Sequence, residues 1–151
     1  MVDRKDDMDE QLRQAVLDRL EEGHLTCHQA HAIAKELGAE PIDVGRAADA
    51  LDVRVSRCLL GLFGYGSKAA GTNKIVRPMA QVPPVLEAAL GAESNDEGIP
   101  CLAVWNIAGR VGISRLEASN AVEGLGLRVS TCQLGCFPRP NPLKGIIVRG
   151  S

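Results

Sequence analysis

Arg54-Val55-Ser56-Arg57-Cys58-Leu59-Leu60-Gly61-Leu62-Phe63 recurs at an offset of 74 as Arg128-Val129-Ser130-Thr131-Cys132-Gln133-Leu134-Gly135-Cys136-Phe137. The shared skeleton is R-V-S-x-C-x-L-G-x-F. Extended backwards at the same offset, the match continues without a gap. Cys27 falls on Cys101, Ile33 and Ala34 on Ile107 and Ala108, Gly38 on Gly112, Ala47 on Ala121 and Leu51 on Leu125. Two copies predict two examples of one small fold, because a solenoid needs at least three stacked repeats. In a chain of 151 residues, each copy has room for one modest core and little more.

The patterning outside the repeated run predicts a fixed order of elements. Met8, Leu12, Ala15, Val16, Leu17 and Leu20 recur at helical spacing over residues 8–22, and Gly23 supplies a stop. His24 to Cys27 suits a brief strand. Residues 28–37 read as a second helix closed by Gly38, and a third runs from about Ile42 to Leu51 with Pro41 in its first turn, where no backbone donor is needed. Val53–Phe63 reads as a strand, Gly64–Asn73 as a glycine-rich loop and Lys74–Arg77 as a returning strand. The second copy repeats the order: a helix over 82–93, a short strand at 99–101, helices over 102–111 and 116–125, a strand over 128–137, a loop over 138–144 and a return over 145–149. Domain boundaries at 8–78 and 82–150 follow.

Two helices joined by a short turn containing glycine form a helix-turn-helix pattern. Ala34, Gly38 and Val44 supply the small residue, the turn glycine and the apolar contact, and Ala108, Gly112 and Ala118 do so again. A small side chain lets the helices cross closely. With the flanking strands and loops added, each copy resembles the winged helix-turn-helix family over nearly the whole chain. The resemblance implies a mainly α fold with small β wings (α+β), two winged helix-turn-helix units in tandem, and double-stranded DNA as the partner.

The residues that would face a major groove in the second copy are Ser114, Arg115, Ser119 and Asn120, since Arg pairs with guanine and Asn with adenine. Its wing would add Arg139, Lys144 and Arg149 for phosphate. The equivalent helix of the first copy carries Glu40, Asp43 and Asp49 beside Arg46, and its wing carries Lys68, Lys74 and Arg77. Charge divides in the same sense: residues 1–98 hold 11 Lys/Arg against 17 Asp/Glu, and residues 99–151 hold 6 against 2. The second copy is therefore the expected DNA reader of a transcriptional regulator. The alternative is an adaptor that binds protein, as partner or homodimer, without touching DNA.

The five cysteines include no C-x-x-C pair, which favours thiols in a reducing cytoplasm. In a winged helix the returning strand lies between the other two, so Cys27 and Cys58 would stand two strand spacings apart, near ~10 Å. A disulfide needs α-carbons within ~7 Å, so a bridge is not expected. His24, Cys27, His28 and His31 are the one grouping rich in nitrogen and sulfur ligands, a candidate site for zinc or another transition metal. Otherwise no cofactor is expected. No phosphate-binding loop, zinc-protease or serine-nucleophile motif occurs, so no enzymatic activity is expected. Neither a signal peptide nor a membrane-spanning run is legible, and the expected location is the cytoplasm.

Overall fold

The computed structural model describes residues 4–65 and 74–137. It is mainly helical with a small parallel sheet, an α+β arrangement. The elements are α1 (Arg4–Asp18), β1 (Leu25–Thr26), α2 (Cys27–Leu37), α3 (Pro41–Ala50), β2 (Val55–Ser56), α4 (Pro84–Glu93), α5 (Cys101–Val111) and α6 (Arg115–Gly124). No helix among the described residues is long and apolar enough to cross a membrane.

The repeat is legible in the core. Leu12 and Leu86, Val16 and Leu90, Leu25 and Ile99, Ala30 and Val104, Ile33 and Ile107, and Ala48 and Val122 are all buried. Each pair stands at the 74-residue offset. Full burial of each Leu, Ile or Val side chain among them contributes about 1.5–3 kcal/mol. In the first copy α1 packs on α2 and α3; in the second α4 packs on α5 and α6. The first helix ends at Asp18, four residues short of the expected Glu22. The chain instead reverses through Glu22 and Gly23, both at positive φ, and closes a bridge between Glu21 and His24.

Both helix pairs turn through a left-handed glycine. Gly38 has φ 66° and Gly112 φ 82°. In each turn the next residue closes the helix end: Ala39 N–H donates to Ala34 O at 2.9 Å, and Ile113 N–H donates to Ala108 O at 3.0 Å. Glycine fits because a β-carbon disfavours this conformation, and the orphan carbonyls of the last turn gain donors.

The strands depart from the expected arrangement. β1 pairs with β2 directly and in parallel, Leu25 opposite Val55 and Thr26 opposite Ser56. In the second copy Ile99 bridges Val129, also in parallel. No returning strand separates them. The long strand expected over 53–63 reduces to Val55–Ser56, and residues 74–77 form no strand. Most of the first loop, 66–73, and the second loop and return, 138–149, lie outside the described residues.

The compact units also cut across the sequence copies. One unit contains the chain up to Cys58 together with the segment that begins at Leu134; the other is Leu59–Gln133. The repeated run is therefore divided immediately after Cys58 in one copy, and one residue after the equivalent Cys132, at Gln133, in the other. Leu60 and Leu134 are repeat-equivalent and both buried, Leu60 in the second unit and Leu134 in the first.

Candidate functional site

The expected DNA reader is α6, so its surroundings decide what it can touch. Its start is closed by a reciprocal cap. The Ser114 hydroxyl accepts from Glu117 N–H at 3.0 Å, and the Glu117 carboxylate accepts from Ser114 N–H at 3.3 Å. This satisfies two backbone donors that a helix start leaves without partners. Ser114 thus serves the helix first.

Ala118, Ser119, Ala121 and Val122 face the core. Ser119 is fully buried, and its Oγ has no hydrogen-bond partner among the described residues. It does not face a groove. Its counterpart in the first copy is Gly45, also buried.

A second side of α6 is covered by the chain leading to α4. Asn120 Oδ1 accepts from Arg77 N–H at 2.8 Å, and Asn120 O accepts from Met79 N–H at 2.9 Å. Lys74 Nζ lies 3.4 Å from Glu123 Oε1. A β-carbon built on Gly124 would stand 2.3 Å from Met79 O, so glycine is what admits this backbone. Earlier in the same segment, a β-carbon on Gly61 would meet the Leu116 side chain at 2.7 Å, and Gly61 O accepts from both Ile75 N–H and Val76 N–H. Asn120 therefore pins the Lys74–Met79 segment instead of facing open solvent, and Lys74 is held by a helix carboxylate instead of reaching out from a wing. Arg115 and Glu117 are what remains exposed on the first turns of α6.

The other expected contacts divide in two. Arg46 is exposed but ion-paired to Asp43 at 3.1 Å. Lys68, Arg139, Lys144 and Arg149 lie outside the described residues. The unit spanning Leu59–Gln133 holds six Lys/Arg and six Asp/Glu, so the basic balance of residues 99–151 does not become a net positive unit.

The histidine cluster is not gathered. His24 and His28 are exposed, His31 is half-buried and Cys27 is buried. Among the described residues no group of three or more His, Cys, Asp or Glu is arranged to hold a metal ion. Cys27 opens α2 on its core side, whereas His28, one residue on, points about 100° away around the helix.

What the structure does assemble on the Leu59–Gln133 unit is an open cavity of about 530 Å³ lined by Leu59, Trp105, Ala108, Gly109, Ile113, Ser114, Arg115 and Leu116. It lies between α5 and the start of α6. The Arg115 guanidinium sits 3.8 Å from the centroid of the Trp105 ring, a cation–π contact that also fixes where the charge is presented. No carboxylate lies within ion-pair distance of Arg115 among the described residues, whereas Arg13, Arg19, Arg46 and Lys74 each have one. Leu102, one turn before Trp105, is 52% exposed. The sequence held one signal for this groove: its single tryptophan stands at a helix position where the first copy has His31.

No family model matches the chain, and no curated protein or solved structure matches it.

Proposed function

We propose that this chain is a protein-interaction module. Its working surface is the α5–α6 groove, and its occupant is a peptide segment with an apolar side chain next to a carboxylate. The apolar walls would take the side chain, and Arg115, held over Trp105, would meet the carboxylate with a planar pair of donors. The observation that carries this reading is the Arg115–Trp105 stack at the rim of an apolar cavity. Stacked aromatic and guanidinium groups at a concave apolar site are the usual energetic anchors of such interfaces.

A second reading, a duplex-binding winged helix-turn-helix regulator, is favoured by the two helix pairs with their glycine turns. It needs a groove-facing side on α6. The exposed cation there is Arg115, with Glu117 beside it, and an acid so placed repels phosphate.

The two readings separate in one set of measurements on the full chain. Peptides selected from a random library are titrated while tryptophan emission, which arises from Trp105 alone, is followed. A random-sequence DNA duplex is titrated in parallel at two salt concentrations. The expected result is enrichment of peptides pairing an apolar residue with Asp or Glu, and a loss of roughly 30-fold in affinity for Trp105→Ala or Arg115→Ala, the scale of an interface hot spot. Duplex binding that weakens steeply with salt, with no peptide selected, would establish the second reading instead.

A further inference from the structure

We propose that Cys101 and Cys132 form a dithiol–disulfide pair, and that Cys27 and Cys58 are its counterpart in the other copy. The parallel strand pairing removes the separation expected from sequence, because nothing intervenes between the two cysteine-bearing segments. Ile99 N–H donates to Arg128 O and Ser130 N–H donates to Ile99 O, both at 2.9 Å, which sets Ile99 opposite Val129. The next bond is Cys101 N–H to Thr131 O, again 2.9 Å. In a parallel ladder a residue that donates to the carbonyl of one residue lies opposite the residue after it. Cys101 therefore faces Cys132, with one extra residue accommodated on the second strand as in a bulge.

Adjacent strands stand about 4.8 Å apart, inside the range of roughly 4.4–6.8 Å between α-carbons that a disulfide accepts. Gln133 Nε2 donates to Cys101 Sγ at 3.4 Å, which independently brings the residue beside Cys132 onto the other sulfur. The first copy shares the parallel pairing. Thr26 pairs with Ser56, Arg57 follows at φ 51°, and Cys27 and Cys58 are both buried, 6% exposed. All five cysteines are thiols in this structure.

The reaction balances with a low-molecular-weight disulfide as oxidant. Cys132 is half-buried and Cys101 buried, so Cys132 meets the oxidant first. Its thiolate attacks one sulfur of the external disulfide, forms a mixed disulfide and releases a small thiolate. Cys101 then attacks the Cys132 sulfur and releases the second small thiolate. Two electrons and the two thiol protons leave the protein with the two small thiols. The bridge formed would tie the start of α5 to the segment that runs on to Leu134.

The test uses full-length protein equilibrated in mixtures of reduced and oxidised glutathione, alkylated, digested without reduction and read by mass spectrometry, with circular dichroism monitoring the fold. The expected products are a Cys101–Cys132 cross-linked peptide that has lost two hydrogens and, forming more slowly because both thiols are buried, a Cys27–Cys58 peptide. Cys136→Ser leaves both unchanged, and Cys132→Ser leaves Cys101 alkylated. Separate alkylation of Cys101 and Cys132 at every ratio, a glutathione adduct on Cys132 that never resolves, or a Cys132–Cys136 cross-link would each overturn the assignment. None of these outcomes bears on the groove reading, which has its own probes.

Discussion

Replacing Gly124 with alanine tests whether the Lys74–Met79 segment is seated on α6, the placement that removes Asn120 from any groove. The new β-carbon would stand 2.3 Å from Met79 O and 3.0 Å from Met79 N. Restoring ordinary contact requires that carbonyl to retreat by about 1 Å, and the atoms in the way are backbone, which cannot swing aside as a flexible side chain does. The bond from Met79 N–H to Asn120 O, 2.9 Å at rest, would stretch beyond hydrogen-bond reach. Losing it costs about 0.5–1.5 kcal/mol, and overpacking adds roughly 1–3 kcal/mol. Better helix propensity returns about 1 kcal/mol at most. The expected net loss is about 1–3 kcal/mol. Gly91 supplies the control: it is helical and exposed, and a β-carbon there meets nothing within 4 Å. Gly91→Ala should gain about 0.5–1 kcal/mol. One chemical change thus has opposite signs at two sites, readable by urea denaturation or as melting shifts of roughly 2–4 °C per kcal/mol. If both variants are stabilised alike, the segment is not on the helix. Asn120 would then return to solvent, and duplex binding would regain its missing surface.

Four further outcomes follow from the same geometry. Ser114→Ala should destabilise by about 0.5–2 kcal/mol through loss of the α6 cap, checked by denaturant titration. Ile33→Ala and Ile107→Ala, both fully buried and repeat-equivalent, should each cost about 2–5 kcal/mol on the same titration. Zinc added at micromolar concentration should neither bind in calorimetry nor raise the melting temperature, because the histidines are not gathered. Oxidation that closes Cys101 to Cys132 encloses a loop of about 30 residues and should stabilise by about 3–4 kcal/mol in the chain-entropy account, measured as the difference in denaturation midpoint between oxidised and reduced protein.

The parts of this fold that were legible in the sequence are those where one residue type answers one local requirement. Ile33 and Ile107, and Gly38 and Gly112, recur because a core position or a left-handed turn admits few alternatives, and the structure buries or caps each of them. Strand direction was not legible, since a two-residue strand has no side-chain period that encodes whether its neighbour runs with it or against it. The surroundings of α6 were hidden for another reason. A helix residue such as Asn120 reads as a groove contact or as an acceptor for passing backbone with equal ease, and only a long-range placement distinguishes the two.

The differences between the copies held that information all along. Where the first copy has Ala50, the second has Gly124, and where the first has Arg46, the second has Asn120. These exchanges mark the line on which Met79 and Arg77 meet the helix. His31 against Trp105 and Pro41 against Arg115 mark the groove in the same way. In a duplicated chain, then, shared residues locate the core, and the unshared ones on a helix surface locate what lies against it. That principle is what moves the candidate site off Ser119 and Asn120 and onto the Trp105 stack, with Arg115 the one base-reading position it keeps exposed and unclaimed by the cap or the core.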